Sequence, residues 1–225
     1  MPWIEVAEPH AEPPRLPRRA LTPSSSSLEL DGRWAELIDV ETTGQTIDLE
    51  SCSSLEIRSS RLSGVRFENA EGVDVEVRDS EFVDCDLSRM RFRSVGTSTF
   101  DGCKLTGADL SGAQVRDVRW RSSRFALANL RMATFERVQW HDCVVEECDL
   151  FDSTLTDVDL AGSSIIELNL DRARFERVDF RSAGDLQLSS FSTLKGALFS
   201  PSQLPAMAFT LATALGADVE SDAAE

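Results

Sequence analysis

FDGCK LTGAD LSGAQ VRDVR WRSSR FALAN LRMAT F, residues 100–135, sets a large apolar side chain at every fifth position without a miss. The series extends both ways: Val95, Phe100, Leu105, Leu110, Val115, Trp120, Phe125, Leu130, Phe135, Trp140, Val145, Leu150, Leu155, Leu160, Ile165, Leu170, Phe175 and Phe180. Apolar residues are 41% of the chain, so this run would arise by chance about once in ten million. A period of five is neither the 3.6 of a helix nor the 2 of a strand. The pattern is a repeat, and a repeat decides the architecture.

Five residues per apolar point describe a short, nearly extended side followed by a bend. Four sides close a loop of about 20 residues, and stacked loops pair as parallel strands about 4.8 Å apart. Two residues before each large position stands a mostly small one: Cys103, Ala108, Ala113, Val118, Ser123, Ala128, Ala133, Val138, Cys143, Cys148 and onward to Val178. Large and small side chains together fill a narrow tube without voids. The expected fold is an all-β solenoid. The repeat also runs backwards in another frame through Ile47, Cys52, Ile57, Leu62, Phe67, Val77, Phe82, Leu87 and Phe92, with Gly72 as a gap. Between Phe92 and Phe100 the frame slips by three residues, which predicts a small bulge or loop in one coil, either a plain irregular turn or a partner contact.

The units Ala108-Asp109-Leu110, Ala128-Asn129-Leu130 and Cys148-Asp149-Leu150 resemble the A(D/N)LXX unit of the pentapeptide-repeat family. The resemblance covers the repeat region and implies a right-handed quadrilateral β-helix. The Leu204 to Gly216 segment is similar to the C-terminal segment of the family's fluoroquinolone-resistance members. Those members protect DNA gyrase, are understood to mimic duplex DNA, and dimerise through a C-terminal module.

Prolines mark the edges. Pro2, Pro9, Pro13, Pro14, Pro17 and Pro23 precede the repeat, Pro201 and Pro205 follow it, and none lies between, as ladder N–H groups require. Residues 1–27 read as a flexible tail containing Pro and Ser, 28–45 as an N-terminal cap, and 46–199 as the β-helix. Residues 200–217 read as a capping helix and 218–225 as an acidic tail. Open coil ends expose unpaired backbone, hence the caps. The helix has Ser200 as its N-cap, Pro201 in the first turn and Gly216 as terminator. Leu204, Met207, Ala208, Leu211 and Leu215 form a stripe, and Phe209 makes the other side apolar too. One side would meet the last coil and the other a second copy, giving a homodimer. A monomer capped by its own helix is the other reading. No signal region and no 18-residue apolar run is present, so membrane insertion and export are not expected and the cytoplasm is.

Cys52, Cys85, Cys103, Cys143 and Cys148 fall at inward positions and form no metal-ligand pattern. Their odd number fits a reducing compartment. No GxSxG, P-loop, GxGxxG or HExxH motif occurs, and the only histidines are His10 and His141. Asp109, Asn129, Asp149 and Asn169 recur every 20 residues, which predicts corner-stabilising hydrogen bonds rather than acid/base work. No enzyme activity, cofactor or metal is expected.

Formal net charge is −16. Residues 41–90 carry 12 acids and 5 bases, and residues 91–180 carry 15 and 12. The candidate acidic face comprises Glu68, Glu71, Asp74, Glu76, Asp79, Glu81, Asp84 and Asp86, then Asp142, Glu146, Glu147, Asp149, Asp152, Asp157 and Asp159. Between them lies an arginine belt of Arg116, Arg119, Arg121, Arg124, Arg131 and Arg137. Asp117, Arg137, Asp157 and Arg177 would stack with alternating sign. Eight coils span roughly 38 Å, over which B-DNA shows about 22 charges. Residues 41–180 net only −10, so mimicry would be partial. Direct nucleic-acid binding is not expected at this charge. Two readings stand: a dimeric partial DNA mimic on gyrase or topoisomerase IV, and an interaction scaffold for a different protein.

Overall fold

The structure, a computed structural model, describes residues 19–20, 27–29 and 32–218. The period of five has a backbone cause. From residue 97 to 177 every fifth residue has φ between 44° and 70°, starting Thr97, Gly102, Gly107, Gly112, Asp117, Ser122, Leu127, Met132 and ending at Arg177. Extended residues make a side and one left-handed residue turns the corner. Left-handed backbone costs an ordinary L-residue roughly 1–2 kcal/mol, while burying one Leu or Phe side chain gives about 1.5–3 kcal/mol. One buried side chain per unit therefore outweighs one strained corner.

The strands in chain order are β1 (Arg19–Ala20), β2 (Ser27–Glu29), β3 (Trp34–Ile38), β4 (Val40–Thr43), β5 (Thr46–Asp48) and β6 (Ser54–Arg58). Then come β7 (Arg61–Ser63), β8 (Arg66–Glu68), β9 (Asp74–Arg78), β10 (Glu81–Val83), β11 (Arg91–Asp101), β12 (Gln114–Arg121) and β13 (Arg124–Ala126). The rest are β14 (Thr134–His141), β15 (Val144–Glu146), β16 (Thr154–Asp159), β17 (Ser164–Leu170), β18 (Arg174–Asp179), β19 (Leu186–Phe191) and β20 (Ala197–Leu198). A turn at Pro201–Gln203 leads into α1 (Leu204–Ala214).

The strands pair in parallel, coil on coil. Side one of the rod stacks β3 on β6 on β9 and continues through β11, β12, β14, β16 and β18. Side two runs β1, β4, β7, β10 and then through the later halves of the same long strands to β20. Side three holds β2, β5 and β8, and further on β13, β15, β17 and β19. Side four is a file of single bridges, Asp109 to Asn129 to Asp149 to Asn169. β3 and β4 fall within the segment expected as the N-terminal cap and are themselves rungs in register with β6 and β7.

The frame slip is an eighteen-residue coil. Glu81 lies against Thr99 and Phe82 against Phe100, whereas β7 lies against β10 at a spacing of twenty. Regular later coils pass from side four to side one through a two-residue turn, such as Ser111-Gly112 or Arg131-Met132. In the short coil β11 runs straight through instead, with a register shift between Phe92 and Ser94. Gly72, the gap in the early series, sits in a turn at φ 81°, and Ala70, Val73 and Val75 fill the interior around it.

The interior is continuous. Phe82, Phe100, Trp120 and Trp140 stack up side two with centroid separations of 4.7, 5.6 and 5.4 Å, and Phe125 meets Trp120 edge-on at 5.4 Å. Small inward side chains also serve the backbone: Ser60 Oγ accepts from Val40 N–H at 3.1 Å, and Ser80 Oγ accepts from Ser60 N–H at 3.2 Å. On side four, Asp109 Oδ1 accepts from Ser111 N–H, Asn129 from Arg131, Asp149 from Phe151 and Asn169 from Asp171, at 2.9 to 3.3 Å. This is the corner role expected from their spacing.

Candidate functional site

The fifteen candidate acids do not share one side. Asp74 and Glu76 are on side one, Glu81 and Asp159 on side two, Glu68, Asp86 and Glu146 on side three, and Asp149 on side four. Asp79, Asp84, Asp142, Glu147, Asp152 and Asp157 occupy left-handed corners, and Glu71 lies in the turn before side one. Seven of them pair with an arginine or lysine, and Asp159 meets a histidine ring. Asp74 meets Arg93 at 2.9 Å, Glu81 meets Arg61 at 2.6 Å, Asp86 meets Lys104 at 3.7 Å and Asp149 meets Arg131 at 2.7 Å. Asp152 meets Arg174 at 3.4 Å, Asp157 meets Arg177 at 2.5 Å, Asp159 meets His141 at 2.8 Å, and Glu146 pairs with Arg124.

The arginine belt circles the rod and is largely consumed by these pairs. Arg116 pairs with Glu136, and Arg119 Nε donates to Gln139 at 2.7 Å. The alternating column forms two separate forks rather than a continuous ladder. Arg137 Nε and Nη2 donate to Asp117 at 2.6 and 2.9 Å, and Arg177 grips Asp157 likewise at 2.5 and 2.9 Å. The facing carboxylates hold both guanidinium groups more firmly protonated than usual. Arg131 and Arg172 also lie over the Phe151 ring, at 4.4 and 5.3 Å.

Uncompensated charge is densest at the N-terminal end, and its strongest element there includes two residues outside the candidate set. Glu36 pairs in register with Glu56, and Glu56 with Glu76. Ala35 and Leu37, Leu55 and Ile57, Val75 and Val77 turn inward, so the three glutamates turn outward in a file. Glu56 alone meets a base, Arg58, at 3.6 Å. Among the described residues Glu36, Glu76, Asp79, Asp84, Glu68 and Glu71 make no ion pair, and of the later candidates Asp142 and Glu147 make none either. The twenty-residue spacing of Glu36, Glu56 and Glu76 was the sequence signal for this file.

At the other end α1 closes the rod. Met207 is buried, Leu211 packs partly against the core, and Thr210 Oγ1 donates to Leu188 O at 3.1 Å. Gln203, which sequence reasoning passed over, is buried and pins the approach: its Nε2 donates to Phe180 O at 2.7 Å and Ala183 O at 3.2 Å. The expected stripe is thereby divided. Met207 and Leu211 face the coil, while Leu204, Ala208, Phe209 and Leu215 are exposed. Phe209 is 61% and Leu215 86% exposed on a helix without a single charged side chain.

Among the described residues no group of three or more His, Cys, Asp or Glu is placed to hold a metal ion, and no helix is long and apolar enough to cross a membrane. The five cysteines are buried. Burial pushes the Cys143 thiol up to about 12 and the Cys148 thiol up to about 11. Among the described residues two surface grooves open, of about 400 Å³ around Gly96 and about 610 Å³ around Asn69.

Residues 94–170 match the family model described as pentapeptide repeat region. No curated protein matches the chain by sequence. Among solved structures, a trypsin-treated form of QnrB1, a plasmid-mediated fluoroquinolone resistance protein, is 18% identical. That match covers 86% of this chain and 98% of the other, with a TM-score of 0.38. Full-length QnrB1 is 16% identical over 82% of this chain and 99% of its own, TM-score 0.32. HetL, a pentapeptide repeat protein involved in heterocyst differentiation regulation from the cyanobacterium Nostoc sp. strain PCC 7120, is 16% identical over 75% and 92%, TM-score 0.33.

Proposed function

We propose that this chain, a pentapeptide-repeat protein through residues 94–170, is a non-enzymatic docking rod that acts as a partial DNA mimic. Its acidic N-terminal coils take the place of duplex DNA on the DNA-binding saddle of DNA gyrase or topoisomerase IV, protecting the enzyme from quinolones or a natural gyrase poison. The observation that carries this reading is the Glu36, Glu56, Glu76 file. One carboxylate per strand spacing of about 4.8 Å approaches the one phosphate per roughly 3.4 Å of a single DNA strand. The mimicry is strongest in these first coils, because the later ones pair most of their acids with bases. Two copies join through Leu204, Ala208, Phe209 and Leu215 of α1 into a twofold homodimer. The partner is a basic protein surface, and direct nucleic-acid binding is disfavoured by like charge. Five buried thiols suit the cytoplasm.

The test is gyrase supercoiling with purified protein titrated in, with and without ciprofloxacin. Inhibition, or rescue from the drug, that is lost in the Glu36→Gln/Glu56→Gln/Glu76→Gln triple variant supports the reading. No effect in either arm with gyrase from the native host ends it. The paired charges of the later coils favour a second reading, a scaffold for a different basic protein. In that case gyrase is untouched, and the same triple variant loses whatever partner the wild type retains in a pull-down.

A further inference from the structure

The long strand β11 of the short coil carries a glycine in its interior. Gly96 stands in an outward file on side one, just before the corner at Thr97. In register with it on one side are Arg78 and then Arg58, and on the other Arg116, Glu136 and Thr156. Each of these precedes the same corner with an ordinary side chain, and Gly96 alone among them has none. The backbone does not ask for glycine here. Its φ is not in the left-handed region, and an added Cβ would meet only Arg78 Cγ, at an ordinary 4.0 Å. The register shift of β11 lies earlier, between Phe92 and Ser94, while Gly96 itself pairs regularly with Arg78 and Arg116. Glycine weakens a strand interior, and where neither bulge nor bend explains it, it marks a place where a ligand comes close to the backbone.

The missing side chain is the floor of the groove of about 400 Å³ around Gly96. Of the four charged residues that line it, the two acids are already committed. Glu136 gives one oxygen to Arg116 and the other to Arg137, and both oxygens of Asp117 accept from Arg137. The two bases are not. Arg78 has no ion pair and no side-chain hydrogen bond among the described residues, and Arg116 spends one nitrogen on Glu136 and is 65% exposed. Ser94, Gln114 and Thr134 stand in register in the next file and Thr97 at the corner, and none of their side chains is hydrogen-bonded among the described residues. Glu76, in that file one rung from Ser94, does not line the groove.

We propose that this groove binds a phosphate group, seated over Gly96 between the guanidinium groups of Arg78 and Arg116, either as the free ion or as the head of a small phosphomonoester. Arg78 and Arg116 are two rungs apart, about 9.6 Å between backbones, so an anion over the intervening glycine lies about 4.8 Å from either strand and both side chains reach it. A side chain at position 96 would occupy that place. Cations on two sides, with hydroxyl and amide donors on a third, suit a tetrahedral anion, whose oxygens point in several directions. A planar carboxylate is satisfied by one guanidinium fork. The groove lies within the roughly 300–1,000 Å³ usual for small-ligand sites, which leaves room beside the phosphate for a small organic body.

Amide NMR on the full-length chain tests it, with inorganic phosphate, glycerol phosphate and acetate titrated in at a constant ionic strength of about 0.15 M, where exposed charges farther apart than about 8 Å are screened. The expected result is a saturable shift of the Gly96, Thr97 and Arg116 amides by phosphate, with a midpoint below about 10 mM. A tighter midpoint for glycerol phosphate supports a phosphomonoester, and an equal one supports the free ion. Arg78→Gln raises the midpoint about tenfold or more, as loss of a charge-assisted hydrogen bond does. Gly96→Val keeps both arginines and places a strand-favouring residue on the extended backbone. Its thermal melt therefore stays level or rises, while its phosphate midpoint rises about tenfold or more. Shifts that never saturate, an acetate midpoint equal to that of phosphate, or an unchanged phosphate midpoint in either variant overturns the proposal.

Discussion

The Glu36→Gln/Glu76→Gln double variant should make the rod more stable while weakening its hold on a basic partner. The file places Glu56 between two like charges one rung away on either side. Carboxylates on rungs about 4.8 Å apart splay to roughly 7 Å. In water each neighbouring pair then repels by about 0.6 kcal/mol. At 10 mM salt the screening length is about 30 Å and most of this survives; at 0.15 M it is about 8 Å and roughly 0.25 kcal/mol remains. Replacing the outer two glutamates removes both repulsions and leaves the Glu56–Arg58 contact intact. The gain is therefore about 1 kcal/mol at low salt and about half that at 0.15 M. For a domain of this size it corresponds to a rise in Tm of about 2–4 °C at 10 mM salt. Thermal melts by circular dichroism at the two salt concentrations, beside partner binding, read both effects. A Tm that is unchanged or lower at 10 mM salt would refute the reasoning, since the file would then be compensated and not a repulsion held for binding.

The last coil depends on Gly196, at φ 94°, where an added Cβ would lie 2.0 Å from the Phe175 carbonyl oxygen. Gly196→Ala should cost about 3 kcal/mol and expose α1 to hydrogen exchange, whereas Gly112→Ala, with nothing within 4 Å, should cost only about 1 kcal/mol. Phe209→Ser should raise the homodimer Kd by about 30-fold or more in sedimentation velocity, as loss of a central aromatic anchor does, with the monomer's melt unchanged. Acid should unfold the rod from its turns. The Asn69 amide, with backbone N–H groups, holds Asp48 below the usual 3.8. Burial pushes Asp86 and Asp179 up but is outweighed by hydrogen bonds from Ser88 and from Arg181, so these also end below 3.8. Folded values below the unfolded one mean that this stability is present above about pH 4 and is lost as pH falls through the folded values. Urea midpoints should therefore be level from pH 7 to 5 and drop between pH 4 and 3.

The period of five was legible because it is written in hydrophobicity, and burial of the Val95 to Phe180 series follows from it directly. The corners were not legible. Gly102 and Asp142 are residue types that tolerate positive φ, but Leu127, Met132, Glu147 and Glu167 are not, and they occupy the same conformation. The stacked repeat imposes it against local preference. The charge pattern failed in the sequence for a geometric reason. Stacking by twenty identifies Arg137 with Asp117, but long side chains also reach diagonally, as Arg131 to Asp149 and Arg124 to Glu146 do at offsets of 18 and 22. A run of acids in sequence therefore became a set of pairs in space. Gln203 was missed because a polar residue before a helix carries no sign that carbonyls of the preceding coil await it.

The short coil marks a boundary in the rod's use of charge as well as in its cross-section. Before it, each side-one rung is a separate five-residue strand, which puts one glutamate at the same outward point of every rung. At the boundary itself Arg91 and Arg93 converge on Asp74, and from there to residue 180 most acids, though not Asp101, Asp142, Glu147, Glu167 or Asp171, have a basic partner. Residues 41–90 carry 12 acids against 5 bases, while residues 91–180 carry 15 against 12. A rod that cancels its charge over most of its length and keeps it at one end has a polarity. In the function proposed above, a basic partner would meet the N-terminal coils and the uncharged α1 at the far end would be left for a second copy. The twofold pairing proposed through α1 would set the two acidic ends outermost, as far apart as the two rods allow, so that binding and dimerisation would draw on separate residues and neither surface would obstruct the other.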